Sequence, residues 1–346
     1  MSTKTRDSNI ELLRIVSMLL VLGLHVNYLT IGNVTVGDVA ENPSISFVRM
    51  EFESLCIVCV NLYVLISGYF GIRIKKKSII GLLFTIQFWQ ITLYIIGIIH
   101  GRYDFDFNLL QKMIIPGSPY WFVPAYLMLV LFSPILNSFV EKSDKKRLGK
   151  YIIAFLVVQT VFGYIQPYWK MFINGYSVIS FIGLYLIGSY IRRYTAKQGN
   201  STKRYYAFYI IIATIATASA FLIFRYSDSA FILKNTDNWF IVSYISPFAI
   251  AGAVCLFIAF TGTKIRNNIF INRIAASAFP VYLIHIHPFT VTYFLKYADY
   301  IYKELDGIIY MIAIICYIIS VYFICTILDQ LRILAWKYCC KILRLE

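Results

Sequence analysis

Apolar runs long enough to cross about 30 Å of hydrocarbon, some 20 residues each when helical, recur along this chain. They fall near 10–31, 47–70, 78–99, 120–140, 150–168, 176–191, 205–224, 239–261, 274–295 and 308–331, with short polar stretches between them. The pattern predicts an all-α fold: a polytopic membrane helical bundle of about ten transmembrane helices. One integral-membrane domain is expected over 10–331, between an N-terminal tail of 1–9 and a basic amphipathic tail of 332–346. Neither a soluble domain nor a low-complexity linker interrupts it, and no internal repeat is visible.

Composition agrees. With 59% hydrophobic and only 14% charged residues, and a mean hydropathy of +0.69, the chain cannot hide its apolar surface in a water-soluble globule. Charge then orients the spans. Of 32 Lys and Arg, 23 lie in the N-terminal tail, in 71–78, 141–150, 192–204 and 262–273, and after 331; the opposite loops hold 7. Short cytoplasmic loops retain basic residues, so both termini are expected in the cytoplasm and the span number is expected to be even. The net charge of +15 therefore reads as a topology signal, reinforced by contact with anionic membrane lipid. A nucleic-acid partner is not expected, because the basic residues are divided among separate short loops. The first run is too long for a cleaved signal peptide and should stay as a helix. A multi-pass protein of the cell membrane fits these features.

Of the seven cysteines, Cys56, Cys59, Cys255, Cys316 and Cys325 fall inside apolar runs and read as small buried hydrophobes. Cys56-x-x-Cys59 sits mid-span with no second pair, which argues against a redox motif. Cys339 and Cys340 flank basic residues beside the last span, where a host with the machinery could lipidate them. His285-Ile286-His287 resembles a metal pair only on paper. Positions two apart on a helix point in nearly opposite directions, and no carboxylate cluster lies near in sequence, so no metal is expected.

Ionisable residues within the apolar runs carry the chemistry. Each costs roughly 2.5–3.5 kcal/mol to insert, so its presence calls for a reason. Arg14 and His25 share the first run. Eleven residues carry a helix about 20° past three full turns, so both side chains face one way, about 16 Å apart along the axis. His25 is a candidate proton acceptor deep in the membrane; the alternative is an imidazole hydrogen-bonded to a backbone carbonyl. Arg14 sits near the cytoplasmic end, where it can snorkel or pair with Glu11. Arg49, Glu51 and Glu53 enter the second span from the outer side, and Glu53 reaches a depth like that of His25. A carboxylate there would fix the histidine tautomer, although Arg49 and Glu53 can also pair on one helix face. Further along, Ser67 precedes Gly68, which permits close helix packing.

Asn9-Ile10-Glu11-Leu12-Leu13-Arg14, followed by ten residues and His25, resembles the Arg-x10-His signature of the membrane acyltransferase type 3 family. Three further segments follow in the family's order. Asn61 to Tyr69 is similar to its Phe-x-x-Ser-Gly segment, Trp121-Phe122 to its aromatic pair, and Tyr282-Leu283-Ile284-His285 to its Tyr-Leu-x-His block. The resemblance implies O-acylation, usually O-acetylation, of an extracytoplasmic polysaccharide or glycolipid. No cofactor would be bound; acetyl-CoA or another acyl-CoA would be a co-substrate. His25 would be the base and Arg14 would handle the donor, with Glu53 or Glu51 orienting the base. Arg49, Ser67, Trp121, Tyr282 and His285 would support the site or the acceptor. Where relatives carry Arg-x-x-Arg after the Ser-Gly segment, this chain has Arg73-Ile74-Lys75-Lys76-Lys77, so Arg73 with Lys76 would bind the donor without a second bidentate fork. A proton-coupled exporter or flippase of a polysaccharide precursor, and a non-enzymatic assembly subunit, are the competing readings. The acceptor glycan and the oligomeric state are not written in the sequence.

Overall fold

The computed structural model describes residues 7–102, 104–114, 120–165, 171–195, 202–226, 243–305 and 307–344. Among them all regular structure is helical: α1 (Ser8–His25), α2 (Val36–Glu41), α3 (Pro43–Cys56), α4 (Cys59–Phe70), α5 (Lys76–Ile99), α6 (Phe107–Ile114), α7 (Phe122–Lys142), α8 (Lys145–Gln159), α9 (Val178–Tyr194), α10 (Thr202–Tyr226), α11 (Pro247–Gly262), α12 (Ile269–Ala275), α13 (Ala278–His285), α14 (Pro288–Glu304) and α15 (Gly307–Ile342), with short π and 3-10 turns. Among the described residues, six stretches are long and apolar enough to cross a bilayer: Ser8–Ile31, Pro43–Phe70, Lys76–Ile99, Phe122–Lys142, Thr202–Tyr226 and Gly307–Ile342. A seventh arises if Ile269–His285 and Pro288–Glu304, bent by 91°, form one broken span. The chain is thus a multi-pass helical membrane protein.

The remaining apolar runs form shorter helices. Run 150–168 becomes α8 extended by a π-helical turn over Thr160–Ile165, and run 176–191 becomes α9, of 17 residues. Run 239–261 becomes α11, of 16 residues, its first part lying outside the described residues.

Local chemistry explains the ends of the elements around the site. The Asp7 carbonyl accepts the amides of Ile10 (2.9 Å) and Glu11 (3.1 Å), which starts α1. Beyond His25 the ladder widens into a π-helical turn, Val26–Ile31, closed by Gly32 at φ +90°, a conformation that favours glycine. Asn42 caps α3 by accepting the amide of Ile45, and Pro43 takes the first helical position, where its missing N–H costs nothing. α3 and α4 then run as one bent span through Ile57 and Val58.

α4 packs against α1, α9 and α11. Its approach to α9 depends on two glycines: a Cβ on Gly68 would overlap the Tyr185 carbonyl, and one on Gly188 would overlap the Leu65 carbonyl. Ser189 Oγ donates to the Gly68 carbonyl at 2.9 Å, so close approach and hydrogen bonding coincide. α15 runs unbroken through 331–332, where the tail was expected to begin. Arg332 belongs to the bundle: it is buried beside fully buried Asp329, whose Oδ1 accepts from Arg332 Nε (2.7 Å) and Trp89 Nε1 (2.9 Å). Oδ2 accepts from Arg332 Nη2 (2.6 Å) and Ser277 Oγ (2.8 Å), which ties α5, α13 and α15 together.

Candidate active site

Two histidines meet where two helices end. His25, the last residue of α1, faces His285, the last residue of α13, with His25 Nδ1 2.8 Å from His285 Nε2 and ring centroids 5.0 Å apart. His285 Nδ1 lies 2.7 Å from the Val281 carbonyl, one turn back in its own helix. That second contact decides the tautomers. A carbonyl only accepts, so His285 Nδ1 must carry hydrogen, which leaves Nε2 of the neutral ring as an acceptor. His25 Nδ1 must then donate to it, and His25 Nε2 keeps a lone pair with no partner among the described residues. Elementary donor and acceptor rules thus make His25 Nε2 a basic atom.

His285 can occupy this position because its helix breaks there. Pro288 restarts the chain as α14 at 91° to the preceding segment, and side chains cap the exposed backbone. Tyr120 Oη donates to the Leu283 carbonyl at 3.0 Å, Thr290 Oγ1 donates to the Ile284 carbonyl, and His287 Nδ1 accepts the Phe289 amide at 3.1 Å. His287 is committed to this cap, and no cluster of metal-ligating side chains occurs among the described residues.

His25 lines a cavity of about 40 Å³ with Tyr63, Trp121, Phe122, Tyr244 and Tyr282 among its walls. The volume suits one water-sized group. Trp121 packs at a tilt against Tyr176 (4.3 Å between centroids) and Tyr244 (5.7 Å), while Phe122 meets Tyr282 at 6.2 Å. Tyr63 Oη donates to the Arg14 carbonyl at 2.9 Å, which locks α4 to α1 at the first of the two signature residues. The structure therefore brings His25, His285, Trp121 and Tyr282 into one site.

The other expected residues lie elsewhere. Arg14 is partly exposed, with Nη1 3.8 Å from Glu11 Oε1. Ser67 donates to the Tyr63 carbonyl (2.9 Å) and lies 3.2 Å from Tyr126 Oη. Arg73 and Lys76 are exposed at the α4–α5 turn. Arg49 Nη2 donates to the Gly32 carbonyl at 2.8 Å, and no ion pair joins it to Glu53.

The expected carboxylate beside His25 is the main correction. Among the described residues neither Glu51 nor Glu53 is hydrogen-bonded to that ring. Glu51 points to α10, where Thr214 Oγ1 donates to its Oε1 at 2.9 Å. Glu53 is buried and accepts from Asn27 Nδ2. Asn27 lies in the π-helical turn just after His25, and that turn, rather than the histidine, meets the carboxylate. Sequence reasoning placed His285 only in support and passed over Asn27, Tyr63 and Tyr244. The Tyr-Leu-x-His block was the available signal for the first; nothing local to the sequence marked the others.

A family model described as an acyltransferase domain, acyltransferase 3, matches residues 7–330, almost the whole chain. No curated protein and no solved structure matches significantly.

Proposed function

The chain belongs to the acyltransferase 3 family, and we propose that it moves an acyl group, acetyl in the first instance, from cytosolic acyl-CoA to a hydroxyl of a polysaccharide or glycolipid at the outer face. The observation that supports this most is the chain of hydrogen bonds from Val281 through His285 to His25, which leaves His25 Nε2 as a lone pair in an aromatic-walled cavity.

In this reading Nε2 accepts the hydroxyl proton as the sugar oxygen attacks the thioester carbonyl. The new C–O bond forms, the C–S bond breaks, and the departing coenzyme thiolate takes the proton back from His25. Nδ1–H stays bonded to His285 throughout, so the imidazolium forms against a fixed acceptor, as an orienting group does in a nucleophile–base pair. Arg14 keeps donors beyond its Glu11 contact for the coenzyme phosphates, with Arg73 and Lys76 as further cations on the same expected face. Glu53 supports the flank of the site through Asn27, and Glu51 serves the α3–α10 contact.

The test is mass spectrometry of surface glycans from cells carrying the wild type, His25→Ala or His25→Gln at matched membrane levels. Loss of one acyl unit in both variants is the expected result. Retention of the ester in a correctly inserted variant would overturn the proposal, and transport of glycan without any change in acyl content would instead support an exporter.

A further inference from the structure

A second cavity, about 510 Å³ and separate from the one at His25, opens between α3 and the α14–α15 hairpin. Phe52, Ile308, Met311 and Ile315 give it apolar walls, and Arg49 and Asn27 provide polar groups. Ile308 and Ile315 are themselves exposed, at 73% and 49%, so the cleft opens sideways on the apolar outer surface of the bundle, toward hydrocarbon rather than water.

Arg49 is the anomaly in it. The residue is only 9% exposed, its Nε is buried with no hydrogen-bond partner, and no carboxylate lies within ion-pair distance. Of the carboxylates that feel its charge, Glu53 accepts from Asn27 through Oε2, with Oε1 buried and unpartnered beyond ion-pair distance, and Asp38 is tied to Thr35 in the cap of α2. A buried guanidinium with one carbonyl partner is costly unless an anion joins it, and a phosphate oxygen suits the free N–H.

We propose that this cleft binds an anionic phospholipid from the bilayer, its phosphate on Arg49 and one hydrocarbon tail between Phe52 and the Met311 face of α15. The cleft volume accommodates one chain, and the lateral opening leaves the second in the membrane. Charge complementarity selects the headgroup: one unpaired cation and no free acid within hydrogen-bond reach. The site does not depend on the acyl-transfer reading.

The test is native mass spectrometry of protein released from nanodiscs of mixed phosphatidylcholine and phosphatidylglycerol, with wild type, Arg49→Gln, Arg49→Lys, Met311→Trp and His25→Ala compared. Wild type and His25→Ala should retain phosphatidylglycerol over phosphatidylcholine by roughly tenfold, the ratio expected of one charge-assisted hydrogen-bonded contact. Arg49→Gln should lose the preference and Arg49→Lys keep most of it, a contrast that general misfolding would not produce. Met311→Trp, which fills the tail slot and leaves the cation in place, should exclude the bound lipid. Equal retention of the two lipids by wild type, an unchanged preference in Arg49→Gln, or displacement of the lipid by inorganic phosphate would each overturn the proposal. Preferential retention of an added single-chain polyprenyl phosphate over phosphatidylglycerol would also overturn it, by assigning the cleft to a different lipid.

Discussion

His25 and His285, 260 residues apart in sequence, are joined ring to ring by a 2.8 Å hydrogen bond whose direction is set by the Val281 carbonyl. Only the first lines the small aromatic cavity; the second orients it. Substituting each therefore has a different expected signature. His25→Ala should lower acyl transfer by about 10²–10⁴-fold, the usual contribution of a general base. His285→Ala should lower kcat by roughly 10- to 100-fold with KM for both substrates unchanged, because it positions the base and touches neither substrate. Transfer assays in membranes at matched protein levels check both.

Glu51 and Glu53 should separate in the same assay. Glu51→Gln keeps an acceptor for Thr214 on the α3–α10 face, and transfer should stay within about twofold of wild type, as for a surface polar change. Glu53→Ala removes the acceptor of buried Asn27 and frees the turn that follows His25, so transfer should fall along with thermal stability. Equal effects of the two substitutions would contradict the geometry.

Gly68→Ala and Gly188→Ala should each destabilise the bundle by about 1–3 kcal/mol or more, the range for overpacking, since each new methyl would meet a backbone carbonyl rather than a yielding side chain. Melting in detergent and folded yield are the readouts. A variant as stable as wild type would show that α4 and α9 can separate without cost.

Asp329→Ala strands Arg332 in the bundle, and removing one partner of a buried pair typically costs about 3–5 kcal/mol. The double replacement Asp329→Leu with Arg332→Met should recover much of that loss. Thermal unfolding of the single and double variants gives the comparison, and additive losses would rule out the pairing.

The cap of α2 should respond to pH. The Thr35 amide, above all, holds the Asp38 carboxyl below its ordinary value, helped by the Thr35 hydroxyl and the charge of Arg49. With the folded value depressed, the ionised cap stabilises α2 above the unfolded-state pKa of about 3.9 and loses that contribution as pH falls through the folded value. Hydrogen-exchange protection at residues 35–39, measured against the intrinsic rate at each pH, should therefore be greatest near neutrality and fall only in strong acid. Asp38→Asn should abolish this dependence. The group is largely exposed, so the effect is local.

Much of this was legible in the residues themselves. An imidazole among aliphatic side chains stands out because the surroundings penalise it, and so His25 was visible. Gly68 was visible for a related reason: small residues in apolar helices mark contacts. Periodicity says which side chains share a face of one helix and nothing about what that face meets. Arg49 and Glu53 could thus be placed four apart while their partners, Gly32 and Asn27, could not. The π-helical turn after His25 shifts everything beyond it relative to a regular helix, and no local residue signals it. Arg332 was read as a tail cation because topology counting treats every basic residue near a span end alike. Its burial depends on an aspartate three positions earlier and on Trp89, contributed by a helix far away in sequence.

The tight aromatic chamber at His25 has one further consequence under the proposed function. Thioesters carried to a membrane surface face a vast excess of water, and an open basic site would favour hydrolysis. Walls that leave space for a single small group admit one oxygen at a time beside the base, so a sugar hydroxyl that takes the place displaces the water that would otherwise hydrolyse the donor.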